Sequence, residues 1–187
     1  MDLKLEGKVA LVTGSASGIG EATVNCFAQE GAIPVIVDRN EERGRQVAGA
    51  LEAEGKQALF VKAELMNEDD CGRAVETALG AFGHIDVVVN NAGVNDGAAL
   101  EDGTRAFMES IRLNLFHYFA VVHYALPELK KNQGAIVNVG SHLSETGQGG
   151  TSGYVAAKGA IRALTREWAV EFSPYNLRVN CVIPGSV

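Results

Sequence analysis

The sequence predicts an α/β fold: a doubly wound parallel sheet with helices on both faces. Three observations predict it. Short apolar runs recur along the chain, each bounded by Gly, Asp or Asn. Stretches with helical spacing separate them, long enough for crossover connections. The first run ends in a glycine-rich loop that opens a helix, as parallel sheets do where they bind phosphates.

The elements follow in order. Val9 to Val12 is a continuous apolar run, suited to a parallel strand covered on both faces. Glu21 to Gln29 reads as a helix closed by Gly31. Val35 to Val37 is the second strand, ending at Asp38. Asn40 caps a helix to about Glu54, with Gly55 after it. Ala58 to Val61 is the third strand. Asn67 caps a helix to about Phe82, followed by Gly83, and Ile85 to Val89 is the fourth strand. Thr104 to Lys131 is one long helical stretch that Pro127 should kink or end. Ala135 to Val139 is the fifth strand, Ser152 to Phe172 a helix, and Leu177 to Ile183 the sixth strand. No linker or repeat divides residues 1–187, which read as one domain.

Composition narrows the function. The 187 residues carry a net charge of −7, and the 16 Lys and Arg are scattered. That argues against nucleic acid or an anionic membrane surface as partner. No apolar run approaches the roughly 18 residues of a membrane span. No N-terminal signal is visible, so a cytoplasmic location is expected. Cys26, Cys71 and Cys181 have no metal or CxxC spacing, and each lies in a core-like segment; they read as free thiols. No metal site is predicted.

The loop Thr13 to Gly20 has the spacing GxxxGxG. Its glycines allow a tight turn and let the backbone approach a pyrophosphate, and the next helix presents free N–H groups. Asp38, 18 residues after Gly20, can accept from ribose hydroxyls and would repel a 2′-phosphate. This favours NAD over NADP. Arg39 pulls the other way, because a guanidinium can hold that phosphate. Asp38 can equally be a strand-end cap. Tyr154 and Lys158 share a helical face. An ammonium close to a tyrosine stabilises the phenolate, so the pair can take a proton from an alcohol. Ser141, at the end of the fifth strand, can hold a substrate oxygen.

These residues resemble the short-chain dehydrogenases/reductases. Thr13 to Gly20 is similar to that family's TGxxxGIG loop, and Asn90–Asn91–Ala92–Gly93 to its NNAG motif. Asn114, Ser141, Tyr154 and Lys158 resemble its catalytic set, and Pro184–Gly185 its PG turn. The resemblance implies a Rossmann fold. It also implies that Tyr154 is the general acid/base, Lys158 lowers the tyrosine pKa and binds the nicotinamide ribose, and Ser141 positions the substrate oxygen. Asn114 would hold a water in a proton relay to Lys158. Gly14, Ser17, Gly18, Ile19 and Gly20 would cradle the pyrophosphate. Asn90, Asn91, Ala92 and Gly93 would line the adenosine side, and Ile183, Pro184, Gly185 and Val187 the nicotinamide. Where relatives often have Asp-Leu to meet the adenine, this chain has Glu64–Leu65. Relatives continue beyond the PG turn through a substrate lid and a last strand, so the sequence reads as truncated, with those parts missing.

Asn95, His142 and Gln148, near the expected substrate position, would suit a polyol or sugar; they can equally be a solvated loop. Asn90 to Leu100, Thr146 to Tyr154 and Leu164 to Ala169 resemble L-fucose-type sugar dehydrogenases of the family, which implies oxidation of an aldose to a lactone. The alternatives are a 3-oxoacyl thioester reductase using NAD(P)H and a non-catalytic nucleotide-binding scaffold. Small residues at Ala156, Ala157, Gly159, Ala160 and Ala163, and apolar Phe116, Tyr118, Phe119, Val121 and Val122, exceed what one sheet face needs. By resemblance the two helices pair between subunits, giving a homodimer or homotetramer.

Overall fold

The computed structural model of the chain describes residues 2–185; Val187 lies outside the described residues. Six parallel strands form one sheet in the order β3-β2-β1-β4-β5-β6. They are β1 (Val9–Thr13), β2 (Ile33–Asp38), β3 (Leu59–Lys62), β4 (Val87–Asn90), β5 (Ala135–Val139) and β6 (Arg178–Val182). The helices are α1 (Gly18–Gln29), α2 (Glu41–Ala53), α3 (Glu68–Phe82), α4 (Gly103–Ile111), α5 (His117–Lys131), α6 (Leu143–Thr146) and α7 (Ser152–Glu171).

Alternation along β1 explains the two layers. Val9 and Leu11 point to one face, where α3, α5 and α7 supply Val75, Val121, Leu129 and Trp168. Ala10 and Val12 point to the other, against Val24 and Ala28 of α1 and Val47 and Leu51 of α2. All of β1 is buried, as a central strand between two helical layers must be. Asn40 and Asn67 cap α2 and α3 through their side chains, accepting from Arg43 N and Asp69 N.

Strand order reverses between β1 and β4, and the carboxyl ends of these neighbours diverge into a crevice. Thr13 and Asn91 stitch its two sides. Asn91 N and Ala92 N donate to Thr13 Oγ1 at 2.9 and 3.1 Å, and Asn91 Nδ2 donates to Thr13 O and Gly14 O at 2.9 Å.

Several boundaries differ from the sequence reading. Helix α1 starts at Gly18, three residues before Glu21, so the last two loop glycines belong to its first turn. The register with β2 sets β3 at Leu59–Lys62, and β4 begins at Val87, opposite Ala10; just before it, the Asp86 side chain accepts from Val9 N. The long helical stretch is interrupted at Arg112–Phe116, a π-helical turn, and not at Pro127. Helix α5 runs through Pro127 because Ala125 and Leu129 on either side are fully buried; that packing outweighs one missing N–H. Cys71 is buried, but Cys26 is exposed and Cys181 half-buried, so the thiols are not uniformly core residues.

Candidate active site

A groove of about 470 Å³ lies along the carboxyl ends of the strands. At one end, Gly14, Ser17, Gly18 and Ile19 bring the β1–α1 loop to its wall. Gly14 has φ +63°, a conformation open to glycine, and a Cβ there would stand 2.7 Å from Ala92 Cα. A Cβ on Gly20 would stand 2.2 Å from Gly14 O, so Gly20 lets α1 close behind the loop without facing the groove itself. The N-terminus of α1 therefore opens onto a bare-backbone cradle. That cradle and the positive end of α1 fit a pyrophosphate.

Asp38 and Arg39 flank the same end. One Asp38 carboxylate oxygen accepts from Ala16 N at 3.0 Å and the other from Asn40 N at 2.9 Å. The strand-end cap and the groove-facing position are thus the same residue. Glu64 and Leu65 line the wall too, with the Glu64 carboxylate turned toward Met66 N at 3.5 Å.

At the other end, Ser141 and Tyr154 share the wall with Lys158, Gly93 and Pro184. Ser141 is placed by the end of β5, and its Oγ accepts from Leu143 N at 3.2 Å. Tyr154 stands on the first turn of α7. Lys158, one turn later, is only 3% exposed. Its Nζ lies 5.7 Å from the centre of the Tyr154 ring. It donates to Val139 O at 2.9 Å and to Tyr118 Oη at 3.0 Å. Burial pulls the ammonium down to about 8, so it holds its proton less tightly than a surface lysine.

Asn114 is fully buried in the π-helical turn between α4 and α5. Such single-turn bulges re-aim side chains within a helix. Asn114 Nδ2 donates to Ser110 O at 3.2 Å, and its Oδ1 accepts from Val94 N at 2.8 Å. A Cβ on Gly93 would lie 3.0 Å from Asn114 Oδ1 and 3.3 Å from Lys158 Nζ. Gly93 is therefore the space through which this loop packs on both side chains.

Ser141, Tyr154 and Lys158 line the same end of the groove; Asn114 does not line it, and is buried behind the Gly93–Val94 segment. Asn90 does not face it. It is fully buried and donates to Asn138 Oδ1 at 2.9 Å and Tyr118 O at 3.3 Å, a core bond between strands and α5. Adjacent strand residues point to opposite faces, so Asn90 and Asn91 cannot both reach the groove. Pro184 and Gly185 line the wall, and Ile183 does not. Asn95 and Gln148 are exposed, and His142 is half-buried on α6's approach; none of the three lines the groove. Sequence reading missed His117 and Tyr118. His117 lines the groove, with Nε2 against Leu113 O at 3.1 Å. Burial and the nearby Lys158 charge lower it to about 4, so it is neutral at ordinary pH. The available signal was spacing: Tyr118 is one turn from Asn114.

Comparison with known proteins gives the lineage. The family described as short chain dehydrogenase matches residues 8–187. This chain belongs to the short-chain dehydrogenases. Mouse (Mus musculus) L-fucose dehydrogenase is 39% identical over 186 residues, covering 98% of this chain and 67% of that protein. The 2,5-dichloro-2,5-cyclohexadiene-1,4-diol dehydrogenase LinX of Sphingobium indicum is 35% identical, covering 98% of this chain and 74% of that one. The crystal structure of Cj0485 dehydrogenase superposes with a TM-score of 0.91 at 38% identity, over 99% of this chain and 71% of its own. The short-chain dehydrogenase is thus an NAD(P)-dependent oxidoreductase acting on CH–OH groups. Among the described residues, no cluster of His, Cys, Asp or Glu could hold a metal ion, and no helix is long and apolar enough to cross a membrane.

Proposed function

We propose that this dehydrogenase oxidises a hydroxyl of a small polar substrate, an L-fucose-like aldose, with NAD⁺. The observation that carries the chemistry is the meeting of Tyr154, Lys158 and Ser141 at one end of a groove whose other end is a phosphate cradle. The relatives named for L-fucose support the sugar. Asp38 supports NAD⁺, since a carboxylate there opposes a 2′-phosphate.

The bound nicotinamide supplies the two-electron acceptor. Ser141 Oγ holds the substrate oxygen against Tyr154. Tyr154 removes the hydroxyl proton as the carbon is oxidised. Lys158, held charged beneath the tyrosine ring, stabilises the phenolate. Asn114 anchors the Gly93–Val94 segment beside Lys158, and would hold a water in a proton relay to that lysine.

Turnover of L-fucose, D-arabinose and L-galactose, followed by NADH absorbance with NADP⁺ in parallel, tests this reading. Oxidation of at least one sugar with NAD⁺ preferred is the expected result. Absence of turnover with every sugar overturns the sugar substrate, and a preference for NADP⁺ overturns the role given to Asp38.

The same chain is proposed to pair through α5 and α7. The fold buries Tyr118, Val121 and Val122, so the surplus apolar surface is smaller than the sequence suggested. What remains is specific: Phe119 on α5, and Ala156, Ala163 and Val170 recurring every seventh residue along exposed α7. Light scattering at micromolar concentration is expected to give a dimer or tetramer mass, and a monomer mass would refute the pairing.

A further inference from the structure

The lysine beneath Tyr154 has a partner that the family resemblance did not supply. Tyr118 is 1% exposed and reaches the site from the opposite helix, α5. Its hydroxyl donates its single proton to Val139 O at 2.8 Å. A lone pair therefore faces Lys158 Nζ, 3.0 Å away. Lys158 also donates to Val139 O, closing a three-membered ring of hydrogen bonds at the end of β5.

We propose that Tyr118 is a positioning residue for the reaction, whose hydroxyl fixes the Lys158 ammonium beneath Tyr154 and keeps it charged. This rests on the roles given to Tyr154 and Lys158 above, and not on the identity of the substrate.

The physical reason is desolvation. Lys158 is almost wholly buried, and burial favours its neutral form. Two fixed acceptors compensate, the Val139 carbonyl and the Tyr118 oxygen. The phenol itself is held well above its ordinary range by burial, so it remains a neutral acceptor wherever the lysine titrates. The other titratable groups facing Lys158 do not substitute for it. His117, also on α5, is neutral at ordinary pH. Tyr154, on the lysine's own helix, presents its ring at 5.7 Å. Cys181 of β6 would favour the ammonium only as a thiolate. Hydrogen bonds to a charged donor are stronger than neutral ones, so losing the phenol oxygen must lower the lysine's affinity for its proton.

Tyr118→Phe keeps the ring and removes the oxygen. In the intact protein without substrate, ¹³Cε-lysine NMR reads Lys158 directly, its signal identified by its absence in Lys158→Arg. The midpoint, about 8 in the parent chain, is expected to fall by about one unit or more in Tyr118→Phe. In the working enzyme the pH profile of kcat/KM then narrows on its alkaline side. Its alkaline limb falls with Lys158. An unchanged lysine midpoint in a folded Tyr118→Phe protein overturns the proposal, because a packing role alone moves only the melting temperature. Should that variant not fold, ¹³Cζ-tyrosine labelling of the parent chain decides. The Tyr118 signal is expected to shift with the Lys158 midpoint, and a Tyr118 signal blind to that titration is the overturning result. Because the titrations need no substrate, failure of the sugar assignment leaves them readable, and their failure leaves the sugar assays untouched.

Discussion

Replacing Tyr154 by phenylalanine will lower kcat by about 10²–10⁴-fold, the range set by losing a positioned acid/base group. NADH binding will persist, because the phosphate cradle of Gly14, Gly18 and the α1 N-terminus lies at the other end of the groove. Fluorescence titration with NADH, alongside steady-state rates, separates the two. Tyr154 is half-buried on the first turn of α7, where the ring keeps its packing after loss of one oxygen. A variant that keeps turnover within tenfold would show that some other group takes the proton. A variant that loses NADH binding as well would show that the tyrosine's role is structural.

Lys158→Met will cost a comparable factor in kcat/KM, about 10²–10⁴, since the phenolate loses its counter-charge. It will do so without lowering the melting temperature. The parent side chain is 3% exposed, and a buried ammonium is costly even when it is hydrogen-bonded. Methionine fills similar space, and Val139 O still accepts from Tyr118 Oη at 2.8 Å, so no buried acceptor is stranded. Kinetics and calorimetry on the same preparation check both halves. Lys158→Met combined with Tyr154→Phe should be hardly slower than either alone, because the two act as one unit. Additive losses, or a large drop in melting temperature, would contradict this account.

The sequence was informative where one local rule acts alone. Val9 to Val12 of β1 is apolar at every position because both sheet faces bury it, and the loop after it needs glycine for steric reasons that hold in any context. Asn40 and Asn67 cap their helices with their own side chains, so they could be read without knowing the fold. The misses arise where tertiary partners decide. Nothing in the residue types of 104–131 marks the π-helical turn; it is visible only in the fold, through where Asn114 points. Asn90 and Asn91 look equivalent in sequence, yet the strand pleat sends one into the core and the other to the groove wall. Tyr118 reads as one more apolar residue on a long helix. Its hydroxyl matters because α7 brings Lys158 within 3.0 Å of it, a contact spanning 40 residues of chain. Asn95, His142 and Gln148 are polar and close in sequence to the right loops, but a loop's side chains follow no period, and none of the three lines the groove.

The position of β4 beside β1 also governs how the molecule can be assembled. The first three strands pair over short stretches of chain, each across a single helix. The fourth must find β1 from 77 residues away, where the Asp86 carboxylate meets Val9 N. Closing that distance is paid in chain entropy before the contact gives anything back. An N-terminal half with one β1 edge still open thus forms first during synthesis, and it exposes one edge of a strand that is apolar from Val9 to Val12. Until β4 docks there is no crevice, so the nucleotide can stabilise only chains that have already passed this slow step.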